Sequence, residues 1–244
     1  FNGTEGTGLG GALDILGNGC TFYNVTSNGN NASLGGSTFI RGNNTTIRNC
    51  TLDNNNATLR GGAINVAGNN CNVTDVDVSG NIAGTDGGAV YIKGHNAYFV
   101  DVYSFNNTAS RGGSTFIEGN FIDVHNCTLD GNKALFNGSD VSGRGGGLDI
   151  AGENCTIYDL DVSNNTADRE GGAFYVKSSN IHFYDIQSIN NTAQRGGSSY
   201  IYGDNITVSD SKFNDNKAVF NGTEGTGLGG ALDILGNGCT FYNV

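Results

Sequence analysis

The chain has 244 residues, 41 of them glycine and none of them proline, tryptophan or methionine, and a formal net charge of −11. That charge excludes a nucleic-acid binder, which needs clustered lysine and arginine against phosphate. No apolar run approaches the ~18 residues of a membrane span, and no Gly-X-Y period makes the glycine collagenous.

The chain opens on FNGTEGTGLGGALDILGNGCTFYNV (Phe1–Val25), and the same stretch returns unchanged at Phe220–Val244, an offset of 219 residues. A shorter period lies beneath it. Gly-Gly pairs that open apolar runs begin at Gly10, Gly35, Gly61, Gly87, Gly112, Gly145, Gly171, Gly196 and Gly229, in steps of 25, 26 or 33. A period in the twenties marks a solenoid, in which each repeat buries its apolar face only against its neighbours.

Positions are counted from the first glycine of each pair. The first predicted strand carries Ile or Val at +5 in every coil, from Ile15 and Ile40 to Ile201 and Ile234. The next carries an apolar residue at +12 throughout, from Phe22 to Phe241, and apolar or Cys at +15 with the exception of Ser211. Apolar residues therefore recur at +3/+5, +10/+12 and +15/+17, each pair spaced by the strand period of two. Three short strands per coil, separated by Gly/Asn corners, predict an all-β fold, a right-handed three-sided parallel β-helix of about nine coils. The two 33-residue steps are inserts. Residues 1–244 read as one continuous segment of a longer tandem-repeat array. The chain starts and ends mid-pattern, and is expected to continue into further coils.

Each coil then reaches an asparagine at +20: Asn30, Asn55, Asn81, Asn107, Asn132, Asn165, Asn191 and Asn216. Asparagine tolerates left-handed backbone, and its amide can bond the next coil, so this column predicts a structural ladder at a corner.

Other columns are candidates for contact. The +4 row alternates with the inward positions and is expected to face solvent: Asp14, Phe39, Asn65, Tyr91, Phe116, Asp149, Tyr175, Tyr200 and Asp233. An exposed aromatic stripe would bind a neighbouring filament or sugar rings; as sheet filler it would only pair across strands. Residues just before Gly-Gly form a charge ladder, Arg60, Asp86, Arg111, Arg144, Glu170 and Arg195, expected to fix coil register. Asn-X-Ser/Thr sequons, at Asn2, Asn24, Asn56, Asn72, Asn106, Asn137, Asn164, Asn190, Asn205 and Asn221 among others, are candidate glycosylation sites. Asn137 and Asn221, on the inserts, are favoured. The six cysteines (Cys20, Cys50, Cys71, Cys127, Cys155, Cys239) read as core thiols, with the bridges Cys50–Cys71 and Cys127–Cys155 as the alternative. They have no metal-binding CxxC spacing, and no cofactor or metal is expected.

The motifs GGAINV (Gly61–Val66) with VSGN (Val78–Asn81), and GGSSYI with FNDN (Phe213–Asn216), resemble the repeats of chlamydial polymorphic outer-membrane proteins. They also look like those of adhesin-like surface proteins of methanogenic archaea, towards which the asparagine and glycine bias leans. Serine at +17, as in SFNN and SINN, departs from the pattern. The resemblance implies an extracellular, cell-surface β-helix used for adhesion or construction, without catalytic residues. Its partners would be identical neighbouring segments, end to end and laterally, and surface glycans.

An enzyme of this fold would need converging carboxylates. Glu118, Asp149 and Lys177 lie on consecutive coils, but the equivalent coils offer Arg41, Asn65 and Lys93. A structural or adhesive filament is the expected function, with a polysaccharide-binding or polysaccharide-degrading β-helix as the alternative.

Overall fold

The computed structural model describes residues 8–222 and 225–244. The chain winds into a three-sided parallel β-helix. One sheet holds nine strands, from Leu13–Ile15 to Leu232–Ile234. The second runs from Thr21–Tyr23 to Thr240–Tyr242, and the third, of eight strands, from Asn31–Leu34 to Lys217–Ala218. Every partner is the same position one coil away: Ile64 pairs with Val90 and Val90 with Thr115 on the first sheet, Val73 with Phe99 and Phe99 with Val124 on the second. The inserts do not disturb this register, since Ile117 still meets Ile150 and Ile201 still meets Ile234. Among the described residues no helix is long and apolar enough to cross a membrane.

The corners follow from left-handed backbone at fixed positions. The first glycine of each pair has positive φ, for example 65° at Gly87, and a Cβ there would stand 2.1 Å from Val90 O. The second has a different constraint: a Cβ on Gly88 would lie 2.0 Å from Gly113 O of the next coil. Further left-handed rows are carried by Asn or Asp at +9 (Asn44, Asn70, Asn96, with Phe121 at φ 58° as the exception), at +14 (Asn49, Asp75, Asp101) and at +19 (Asn54, Asn106). The +14 residue bends the second side in mid-strand, as Asp75 does within Asn72–Ser79. These short polar side chains tolerate that region best after glycine. The +20 asparagines behave otherwise than expected. They are absent from the left-handed set, and it is their predecessors, Asn54, Gly80 and Asn106, that turn the chain.

The interior is one apolar cluster of stacked rows, including Ile40, Val66 and Ile92 at +5 and Ile47, Val73 and Phe99 at +12. Position +22 is alanine in coil after coil, among them Ala57, Ala83, Ala109, Ala134 and Ala167, all buried. The third side is thus lined by the smallest side chain that still stacks apolar surface. Where +17 is serine, the next coil has serine at +2, and the two meet inside: Ser27 with Ser37 at 2.8 Å, Ser104 with Ser114 at 2.6 Å, Ser188 with Ser198 at 2.6 Å. The pairing recurs every third coil and satisfies hydroxyls that burial would otherwise penalise.

Candidate functional site

The +20 corner is a continuous chain of side-chain amides. Asn81 donates its backbone N–H and its Nδ2 to the Oδ1 of Asn107, at 2.8 and 3.0 Å. The other Nδ2 proton goes to Leu52 O at 2.9 Å. The same Oδ1 acceptance links Asn30 to Asn55, Asn55 to Asn81, Asn107 to Asn132, Asn132 to Asn165, Asn165 to Asn191 and Asn191 to Asn216. Between the half-buried ends Asn30 and Asn216, each amide from Asn55 to Asn191 therefore fills its bonding capacity in a buried corner, where an unmade bond costs ~1–3 kcal/mol.

The +4 row does not face solvent. Tyr91 is 1 % exposed, Asn65 and Asp149 2 %, Phe116 3 %, Tyr175 5 %, Tyr200 6 % and Phe39 7 %; Asp14, on the first coil, is exposed and pairs with Arg41. The row does point away from the lumen, but a second layer covers it. Arg60 lies 5.1 Å over the ring of Tyr91, Arg111 4.3 Å over Phe116, Arg144 4.9 Å over Tyr175 and Arg195 4.7 Å over Tyr200. The guanidiniums gain cation–π contact, and their stems cover the rings. Beneath them Tyr91 stacks on Phe116 at 5.7 Å and Tyr175 on Tyr200 at 5.5 Å. A solvent-facing contact stripe at +4 is therefore excluded by the side chains that precede each Gly-Gly.

Those side chains also pair with one another. Asp86, nearly buried, accepts Arg60 Nε at 3.1 Å on one oxygen and Arg111 Nε at 2.7 Å on the other. Further along the ladder Arg144 approaches Glu170 at 2.8 Å, while Arg195 turns to Asp233 at 2.9 Å. Asp149 sits between these two arginine clusters, in register with Phe116 and Tyr175. Its Oδ2 has no hydrogen-bond partner among the described residues. Burial pushes its carboxyl up to about 8, against the opposing pull of Arg111. Glu118, which accepts the hydroxyl of Tyr91, and Lys177 are both exposed, whereas Asp149 is buried, so the three do not share one environment.

Stacked aromatics on the outer surface do exist, one sheet away. On the second sheet His125 stacks on Tyr158 at 4.5 Å and Tyr158 on Tyr184 at 4.6 Å. Their +13 column also contains Arg48, Thr74 and Val100, and only its run of aromatic residues in adjacent coils could have disclosed the ladder. The rings cover one another's faces and present edges, so this is not a flat platform for a sugar ring.

The sequons divide by exposure. Asn24, Asn56, Asn106, Asn137, Asn164, Asn190, Asn205 and Asn221 are exposed, Asn72 is half-buried, and Asn2 lies outside the described residues. Asn137 turns its Nδ2 onto Ser110 Oγ at 2.9 Å. All six cysteines are free thiols. Burial pushes the thiol of Cys155 up to about 11 and that of Cys127 up to about 12, which keeps them protonated and unreactive.

Two stretches, residues 75–93 and 159–177, match a known family model. It is the Chlamydia polymorphic membrane protein repeat. The two matches occupy equivalent places, each running from the left-handed aspartate of the second sheet (Asp75, Asp159) through the ladder asparagine and the Gly-Gly corner to just past a first-sheet strand. Each thus contains the acid of one arginine cluster, Asp86 or Glu170. No curated protein and no solved structure matches the chain, and the likeness to archaeal adhesins has no counterpart among the matches. The chlamydial repeat together with a parallel β-solenoid fits a surface, adhesive β-helix.

Proposed function

We propose that this chain is a structural and adhesive segment of an extracellular or cell-surface filament, in which β-helix coils run end to end through identical neighbouring segments. The observation that carries this reading is the return of Phe1–Val25 as Phe220–Val244, which gives successive 219-residue units the same coil sequence to stack on. The ladders support it, because sheet register, the Asn column and the arginine clusters all bond from coil to coil, along the axis. Such bonding gives stiffness and slow unfolding rather than a reactive cleft. In this reading the chain is not an enzyme, and the exposed sequons carry glycans.

Negative-stain microscopy of native material tests the filament. Threads are expected, with an axial repeat of ~38 Å or a multiple of it, from eight coils at the strand spacing. Discrete particles alone would end the proposal. Intact-mass measurement before and after deglycosylation tests the sequons.

A further inference from the structure

The first insert, residues 135–143, folds back over the charge ladder rather than projecting from it. Gly143 N–H donates to Ser110 O at 2.7 Å, and Asn137 is tied to Ser110 as described. Between the insert and the ladder lies a cavity of about 220 Å³, whose wall includes Arg60, Asp86 and Arg111 of the ladder, Thr85 and Ser110 beside them, and Ser139 and Val141 of the insert. Both arginines bind Asp86 through Nε. Their Nη groups, the geometry best suited to a carboxylate, have no protein acceptor among the described residues.

The remaining wall has a mixed character. Thr85 Oγ1 donates its proton to Leu59 O at 2.8 Å, which leaves that oxygen as an acceptor. Among the described residues Ser139 Oγ accepts only a long contact from Val141 N at 3.5 Å, so its own proton is available. Val141, 47 % exposed, supplies an apolar surface. The local balance of two guanidiniums against one carboxylate is positive, on a chain whose net charge is −11. The second arginine cluster lacks this composition, because the positions of Thr85 and Ser110 are taken there by Arg169 and Gln194.

We propose that this cavity binds one carboxylated sugar unit, a uronate. The carboxylate meets the Nη groups of Arg60 and Arg111, the hydroxyls meet Thr85 and Ser139, and the C–H face of the ring lies on Val141. An inorganic anion would use only the arginines, and a neutral sugar would leave their Nη groups without a carboxylate. This site stands independently of the filament, since it is formed within one segment.

The test is saturation-transfer NMR and titration calorimetry on the full chain with D-glucuronate, D-glucose and inorganic sulfate. Saturable binding of glucuronate is expected, clearly tighter than either control. Arg60→Gln should weaken it about tenfold or more, as expected for losing a charge-assisted bond. Val141→Trp, on the exposed insert, should abolish it by filling the cavity, whereas Arg195→Gln in the other cluster should leave it unchanged. Absence of saturable binding, equal binding of glucose or sulfate, or full binding by the Val141→Trp variant would each overturn the proposal. If Arg60→Gln fails to fold, the Val141 variant decides alone.

Discussion

The two faces of the first sheet are both buried, by different means. Its inner face presents Ile and Val at +5, packed by the opposite walls of the solenoid. Its outer face presents Phe and Tyr at +4 and is closed by arginines from the preceding corner, which in turn are fixed by Asp86, Glu170 and Asp233. A three-residue strand such as Val90–Ile92 is buried at every position. The inner face needs only apolar volume. The outer one needs a ring, a cation and an anion together, so it is the more specific of the two and the more sensitive to charge.

The largest effect is expected on the inner face. Val66 is 1 % exposed and lies between Ile40 and Ile92 in register. Val66→Asp places a carboxylate where nothing can pair with it, and should cost about 5 kcal/mol or more. Urea denaturation followed by circular dichroism measures this. Unchanged stability would show that the +5 row is not the interior.

Asp149 tests the outer face by charge alone. Its carboxyl titrates near 3.8 in the free state and is pushed up to about 8 by burial, with Arg111 and Arg144 pulling it down and Asp86 and Glu170 pushing it up. Between those values the folded protein keeps a proton that the unfolded chain has released. Stability therefore falls as pH rises through this window, with a ceiling of ~6 kcal/mol for a shift of this size. Asp149→Asn should remove the slope, raising the melting temperature at pH 8 and matching the parent near pH 4. The chain already uses asparagine in this row, at Asn65. A parent whose stability is flat from pH 4 to 8 would show that the arginines hold the carboxylate ionised.

How much of this is legible in the sequence depends on which neighbours decide burial. The inner rows are readable because period-two spacing, held in register from corner to corner, leaves only the interior for positions such as Val66 and Ile92. The same alternation assigns Tyr91 to solvent, since alternation reports direction and not cover. The missing signal is present in the sequence: an arginine precedes Gly-Gly at Arg60, Arg111, Arg144 and Arg195, close to or one coil from a +4 ring. Read separately, as a charge ladder and an aromatic stripe, the two columns give no hint that one roofs the other. The alanine column at +22 and the serine pairs at +17 and +2 are equally visible and equally local to one side of the coil. The cavity beneath residues 135–143 is not legible, because the path of an insert is set by its own bonds to Ser110 and not by the repeat.

Removing one ring separates cover from direction. Tyr91 stacks on Phe116, bonds Glu118 and carries Arg60 above it. Tyr91→Ala should cost ~4 kcal/mol, in the range for a large buried ring, and should also release Arg60 from its seat. Double-mutant cycles with Arg60→Ala would then give a coupling of ~1 kcal/mol, the scale of a cation–π contact.

The smallest effect is expected where a tyrosine has the same stacking but no roof. Tyr184 stacks on Tyr158 at 4.6 Å, nearly parallel at 8°, yet it is 38 % exposed. Its ring loses one stacked neighbour and little buried area on truncation, so Tyr184→Ala should cost ~1 kcal/mol, within the range of a single aromatic pair. The comparison with Tyr91→Ala holds residue type and stacking constant and varies the cover, together with the bond that Tyr91 makes to Glu118. If arginine cover and burial are what distinguish the outer face of the first sheet, the two losses should differ by ~3 kcal/mol. Equal losses would mean that ring-on-ring stacking along the axis, and not the arginine roof, stabilises both columns.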